Sequence, residues 1–158
     1  MSLQRQKLIK NLKTLINKMS KAATQLAKTY EKNSYESFNF KVNNFTDSEL
    51  EILEVLTARF SRLSDIISQK VLRNISEIEL ETYGSQIDLL NRAEKKLLIK
   101  SKDIFEDIRF IRNKVVHEYE DDQSSLYELF EKVIKYTPEL IEASKNIEKY
   151  TKQYCDET

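Results

Sequence analysis

The chain has 158 residues, enough to bury a hydrophobic core within one domain spanning 1–158, and its formal net charge is zero. With 40% apolar and 33% charged residues but a single glycine and a single proline, it lacks the turn-formers of a many-stranded sheet, which leaves amphipathic helices. No apolar run approaches the roughly 18 residues that cross a bilayer, the amino terminus has no secretory leader pattern, and the lone Cys155 permits neither an internal disulfide nor a Cys/His zinc site, so a cytoplasmic protein without metal or cofactor is expected.

Leu8, Leu12, Leu15, Met19, Ala22, Leu26 and Tyr30 recur in steps of four and three, which predicts a first helix with one buried stripe ending near Lys32. Residues 33–45 break the pattern and carry aromatics, expected to pack over the helix ends, with base stacking as the other use of such rings. Thr46-Asp47-Ser48-Glu49 has the form of a capping box, so a second helix should begin there, its stripe running through Leu53, Leu56, Phe60, Leu63, Ile67 and Val71. Residues 72–84 read as a short helix with a turn at Gly84. Ser85 can cap a helix through Ile87, Leu90, Ala93, Leu97 and Leu98, and Ser101 can cap the next, through Ile104, Phe105, Ile108, Ile111 and Val115. That helix should end near His117 to Asp122, where four acids crowd together. A last helical stretch, from Ser124 to about Tyr154, contains Pro138, which implies a kink or a fresh start. The sum is an all-α, up-and-down bundle of four to five helices.

Charge is unevenly spread along this neutral chain. Residues 1–32 hold eight Lys/Arg against one acid, Glu31, whereas residues 101–158 hold nine basic and fourteen acidic side chains. A basic helix of this kind is a solvated face, a partner for acidic neighbours in a dimer, or a nucleic-acid-facing surface.

Arg112-Asn113-Lys114-Val115-Val116-His117-Glu118-Tyr119 carries the chain's chemistry, because it holds the only histidine. Imidazole moves protons near neutral pH, and a guanidinium grips a phosphate with two hydrogen bonds. Asn113 and His117, four apart, share a helix face, but Arg112 lies five residues before His117 and points well away from it in a straight helix. Three routes bring the pair together: arginine's length, fraying at the helix end, or a dimer interface. There is no Gly-rich phosphate loop, metal-ligand cluster or Ser/His/Asp arrangement to support another chemistry.

Arg112-x4-His117-x-Tyr119 resembles the R-x4-H-x-Y motif of the HepT-like toxins of the HEPN superfamily. The likeness extends to Ile111-Arg112-Asn113, to the acidic turn after Tyr119, and to Thr137-Pro138-Glu139-Leu140 and Ile147-Glu148-Lys149-Tyr150, covering most of residues 47–155. The resemblance implies an HEPN-like bundle that forms a homodimer with two motifs facing one cleft. It implies metal-independent endoribonuclease activity on RNA (transfer RNA among the candidate substrates), with Arg112, His117 and Asn113 as catalytic residues. It also implies a cognate nucleotidyltransferase antitoxin that silences the toxin by adding AMP to Tyr119. The alternative is a non-catalytic substrate-binding or scaffold subunit of such a nucleotidyltransferase.

Overall fold

The computed structural model describes residues 2–36, 38, 40, 45–82, 84–118 and 123–156, with residues 116–118 and 123–126 given by their helical backbone. The described residues form helices α1 (Leu3–Lys32), α2 (Asp47–Asp65), a π-helical segment (Ile66–Val71), α3 (Leu72–Ile78), α4 (Gln86–Lys95), α5 (Lys102–Glu118) and α6 (Gln123–Cys155), and no strand is found among them. The fold is a helical bundle. Helices α2 and α6 pack on each other, α1 packs against both, α5 closes the other side of the same pair, and α4 lies against α5. Among the described residues no helix is long and apolar enough to cross a membrane.

Each helix start has a local cause. Ser2 Oγ accepts from the amide of Arg5 at 3.1 Å, so α1 begins five residues before its first predicted stripe position. Thr46 and Glu49 form the expected capping box, at 3.1 and 3.0 Å, and Ser85 and Asp88 form a second. The backbone amide of Ser85, and then its hydroxyl, hold the Asp88 carboxyl below the ordinary range. At α5, Ser101 Oγ takes the amide of Ile104, while Glu94 Oε2, reaching over from α4, takes the amide of Lys102 at 2.7 Å.

Most of the core is one continuous cluster. Leu12, Met19 and Leu26 of α1, Leu56, Phe60 and Leu63 of α2, Phe105 and Ile108 of α5, and Val133, Leu140 and Ile147 of α6 are all buried in it. A smaller cluster of Leu53, Tyr127 and Phe130 is covered by Phe38, Phe40 and Phe45. Its rings continue in contact from Tyr30 through Tyr35 to Tyr127, so the loop aromatics cap the bundle end, with tilted and edge contacts between neighbouring rings.

Two expectations need correction, and of the two readings of Pro138 the fresh start is excluded. The turn after α3 is made at Leu80, φ 57°, and not at Gly84. Helix α4 stops at Lys95, so Leu97 is not on its buried stripe; it takes φ 62° and is exposed, while Leu98 turns into the core. Both ends are Schellman closures: Leu80 N–H donates to Glu77 O and Glu81 N–H to Ser76 O, and Leu97 N–H donates to Glu94 O and Leu98 N–H to Ala93 O. Glycine normally occupies this left-handed position, and neither leucine repays its strain by burial. Gly84 instead makes room for a cap: a Cβ there would fall 2.2 Å from Asp88 Oδ2. Pro138 neither stops nor restarts α6, which runs unbroken past it; Thr137 Oγ1 donates to Val133 O at 2.6 Å one residue before it. Replacing Leu80 with glycine is expected to stabilise the fold by about 0.5–1 kcal/mol, the relief of left-handed strain less the entropy of an added glycine, read as a raised urea midpoint at unchanged slope. A lowered midpoint would show that the exposed leucine contributes more by packing than its backbone costs.

Candidate functional site

Arg112 is half-buried on α5, and its guanidinium lies side-on to Asp65, the last residue of α2. Arg112 Nε sits 2.9 Å from Asp65 Oδ1 and 3.1 Å from Oδ2, and Nη2 donates to Oδ2 at 2.9 Å. Nη1 donates to Asn113 Oδ1 at 3.3 Å. A guanidinium has five N–H donors, so this arrangement fixes its plane with three, and two are not engaged among the described residues. The side chain keeps 34% of its surface exposed, so an acceptor can arrive from solvent.

Asp65 stands where α2 passes into the π-helical segment Ile66–Val71, in which Leu72 N–H bonds back five residues to Ile67 O. Such a turn accommodates an extra residue within a helix, and π-turns concentrate at functional sites. Here it lets Ile67, Ser68 and Val71 stay buried, while Lys70 projects outward.

Helix α5 is α-helical from Lys102 to Glu118, so the chain does not leave the helix before His117. Five residues along an unbroken helix separate the Arg112 and His117 backbone positions by about 140° around the axis and about 7.5 Å along it. The fraying route to convergence is thereby removed. Asn113 is exposed one turn before His117, and Tyr119 lies outside the described residues. Phe110, Asn113 and Lys114, at positions i, i+3 and i+4, make an exposed stripe on α5. Phe110 is an exposed aromatic with Lys114 Nζ 5.6 Å from its ring centre.

Two components of this region emerge only from the packing of the helices. Asp65 lies 47 residues before Arg112, and nothing local to it distinguishes it from other helical acids. The second is a groove of about 410 Å³ between α1 and the junction of α2 with the π-helical segment, bordered by Lys18, Lys21, Arg62 and Lys70 and by Asp65, with Ala22 and Ile66 beneath. The excess of basic residues in 1–32 was a signal for it, but only the packing of α1 on α2 shows which of those residues gather there. Arg5, for example, is engaged elsewhere, donating to Ile78 O at 2.9 Å and lying over the Tyr154 ring.

No family model, no curated protein and no solved structure matches this chain.

Proposed function

We propose that the chain is a metal-independent endoribonuclease, the toxin of a HEPN/nucleotidyltransferase toxin–antitoxin pair, acting through Arg112, His117 and Asn113. The observation that carries the reading is the held guanidinium: Asp65 and Asn113 fix the plane of Arg112, whose side chain stays 34% exposed. A fixed cation of this kind stabilises charge developing on a phosphate without reorganising. In the proposed reaction the ribose 2′-oxygen forms a bond to phosphorus, and the bond from phosphorus to the 5′-oxygen breaks, leaving a 2′,3′-cyclic phosphate. His117 moves a proton from the 2′-hydroxyl or onto the departing oxygen.

The unbroken α5 favours completion of the site across a homodimer, with the two motifs sharing one cleft and the exposed Phe110 covered by the second protomer. Silencing is assigned to Tyr119: transfer of AMP from ATP to its hydroxyl releases pyrophosphate and leaves a bulky anion two residues from His117, which repels RNA phosphates.

A second reading, the non-catalytic subunit of a nucleotidyltransferase, draws on the same ion pair. Arg112 already has a carboxylate partner, as a purely structural arginine would. Cleavage of total RNA in chelator by wild type beside His117→Ala separates the two, once intact mass has shown Tyr119 unmodified. The expected result is fragments ending in cyclic phosphate from wild type and intact RNA with the variant. Intact RNA with folded, unmodified wild type would favour the scaffold.

A further inference from the structure

The groove between α1 and α2 is a concentration of positive charge that the fold itself does not use. Lys18, Lys21, Arg62 and Lys70 are exposed around it, and none forms an ion pair among the described residues. The chain contains 26 acidic residues, yet among the described residues the one acid bordering this groove is Asp65, whose two oxygens are engaged by Arg112. Like charges one helical turn apart, such as Lys18 and Lys21, repel and disfavour the bare helix. An anion lying between them removes that repulsion. The valley also continues: α1 and α2 run antiparallel, and beyond Gln25 a second depression is bordered by Lys28, Lys32 and Arg59, with one acid, Glu51, among the described residues that line it and with Arg59 donating to Gln25 O and Thr29 Oγ1. From Lys18 to Lys32 the basic edge of α1 extends about 21 Å, the length of a strand and not of one small ion.

We propose that the valley between α1 and α2 binds the phosphodiester backbone of a single RNA strand, with Lys18, Lys21, Arg62 and Lys70 as phosphate contacts that lead the strand to Arg112. This rests on the ribonuclease reading for the identity of the strand. The position of Asp65 links the two regions, since one carboxylate both borders the groove and orients the guanidinium. The contacts are to phosphates and carry no base specificity.

The test is binding of a fluorescein-labelled 2′-O-methyl RNA oligonucleotide, which lacks the attacking hydroxyl and stays intact, followed by anisotropy across a salt series. Single-strand affinity falls with salt with a slope of about 0.7 per phosphate neutralised, so Lys18→Ala/Lys21→Ala/Lys70→Ala should reduce the slope by about 2 and weaken binding at low salt at least about tenfold. Alanine favours helix, so the variant should keep its fold. Lys145→Ala/Lys149→Ala/Lys152→Ala, which removes the same charge from exposed positions on α6, should change neither quantity. Equal behaviour of the two triple variants overturns the proposal. Displacement of the RNA by polyglutamate at equal charge concentration also overturns it, in favour of an acidic protein partner. Parallel cleavage of unmodified RNA keeps the two readings separate. Groove-dependent binding without cleavage rejects the ribonuclease and keeps the groove; cleavage with a slope insensitive to the groove lysines rejects the groove alone.

Discussion

Arg112→Lys is expected to lose RNA cleavage almost as completely as Arg112→Ala, each by at least about a hundredfold in kcat, the scale of removing a transition-state donor. The charge is kept, but the geometry is not. Arginine meets Asp65 with Nε and Nη2 and Asn113 with Nη1, and two of its five donors are unengaged among the described residues. A lysine ammonium is a compact point charge on a flexible stem, so pairing with Asp65 would neutralise it where it stands. Removing the carboxylate tests the same logic from the other side. Asp65→Ala leaves Arg112 fully charged but without a fixed plane, so kcat should fall by about 10–100-fold with little change in KM, the pattern of a positioning residue. Wild-type cleavage by Arg112→Lys would mean that charge alone suffices and that the Asp65 geometry is incidental. Arg112→Lys with normal thermal stability and no cleavage is the expected pair of readings, because the side chain is half-buried at the bundle surface and not in its core.

The helical elements were legible because each has a periodic stripe and most have a side-chain cap at the start. Thr46, Ser85 and Ser101 announced α2, α4 and α5, and Leu53, Leu56, Phe60 and Leu63 turned inward as their spacing implies. Helix ends were less legible, since their usual signal is glycine in the left-handed conformation. Leu80 and Leu97 take that conformation without the residue that would announce it. The π-turn was hidden for a related reason. Ile67 and Val71 are four apart, which fits an α-helical stripe as well as it fits the wider turn. At the candidate site, Arg112 and Asn113 were legible as a motif, whereas Asp65 was not, because an ion pair over 47 residues leaves no periodic trace. Helical spacing alone could give Lys18 and Lys21 a common face, but Arg62 and Lys70 join them only through packing of α1 on α2 and the π-helical segment.

Glu79→Ala should cost the fold about 3 kcal/mol, or about 10 °C in Tm, because one carboxylate ties the α3 end to the last turns of α6. Glu79 Oε2 accepts from Tyr150 and Tyr154 hydroxyls at 2.6 Å each, and Oε1 lies 2.5 Å from Lys96 Nζ. Lys96 keeps Glu81 as a partner after the substitution, so the loss falls mainly on the two tyrosines. The same contacts predict a pH profile. Burial by itself would raise the Glu79 carboxyl, but the Lys96, Tyr150 and Tyr154 contacts outweigh it and hold it below its ordinary 4.5. A depressed carboxyl contributes stability that is present above pH 4.5 and is lost as pH falls through the folded value. Burial first, and then Glu79, push Tyr150 up to about 12 from an ordinary 10, and Tyr154 is raised for the same reasons. A raised tyrosine contributes stability that is full below pH 10 and is lost as pH rises toward about 12. Urea midpoints of wild type should therefore fall on both sides of a neutral plateau. Glu79→Gln, which cannot ionise and offers one amide oxygen, should start lower and give a flatter profile at both ends. A variant that loses stability without flattening the profile would move the titrating contribution to other acids and leave Glu79 a packing role alone.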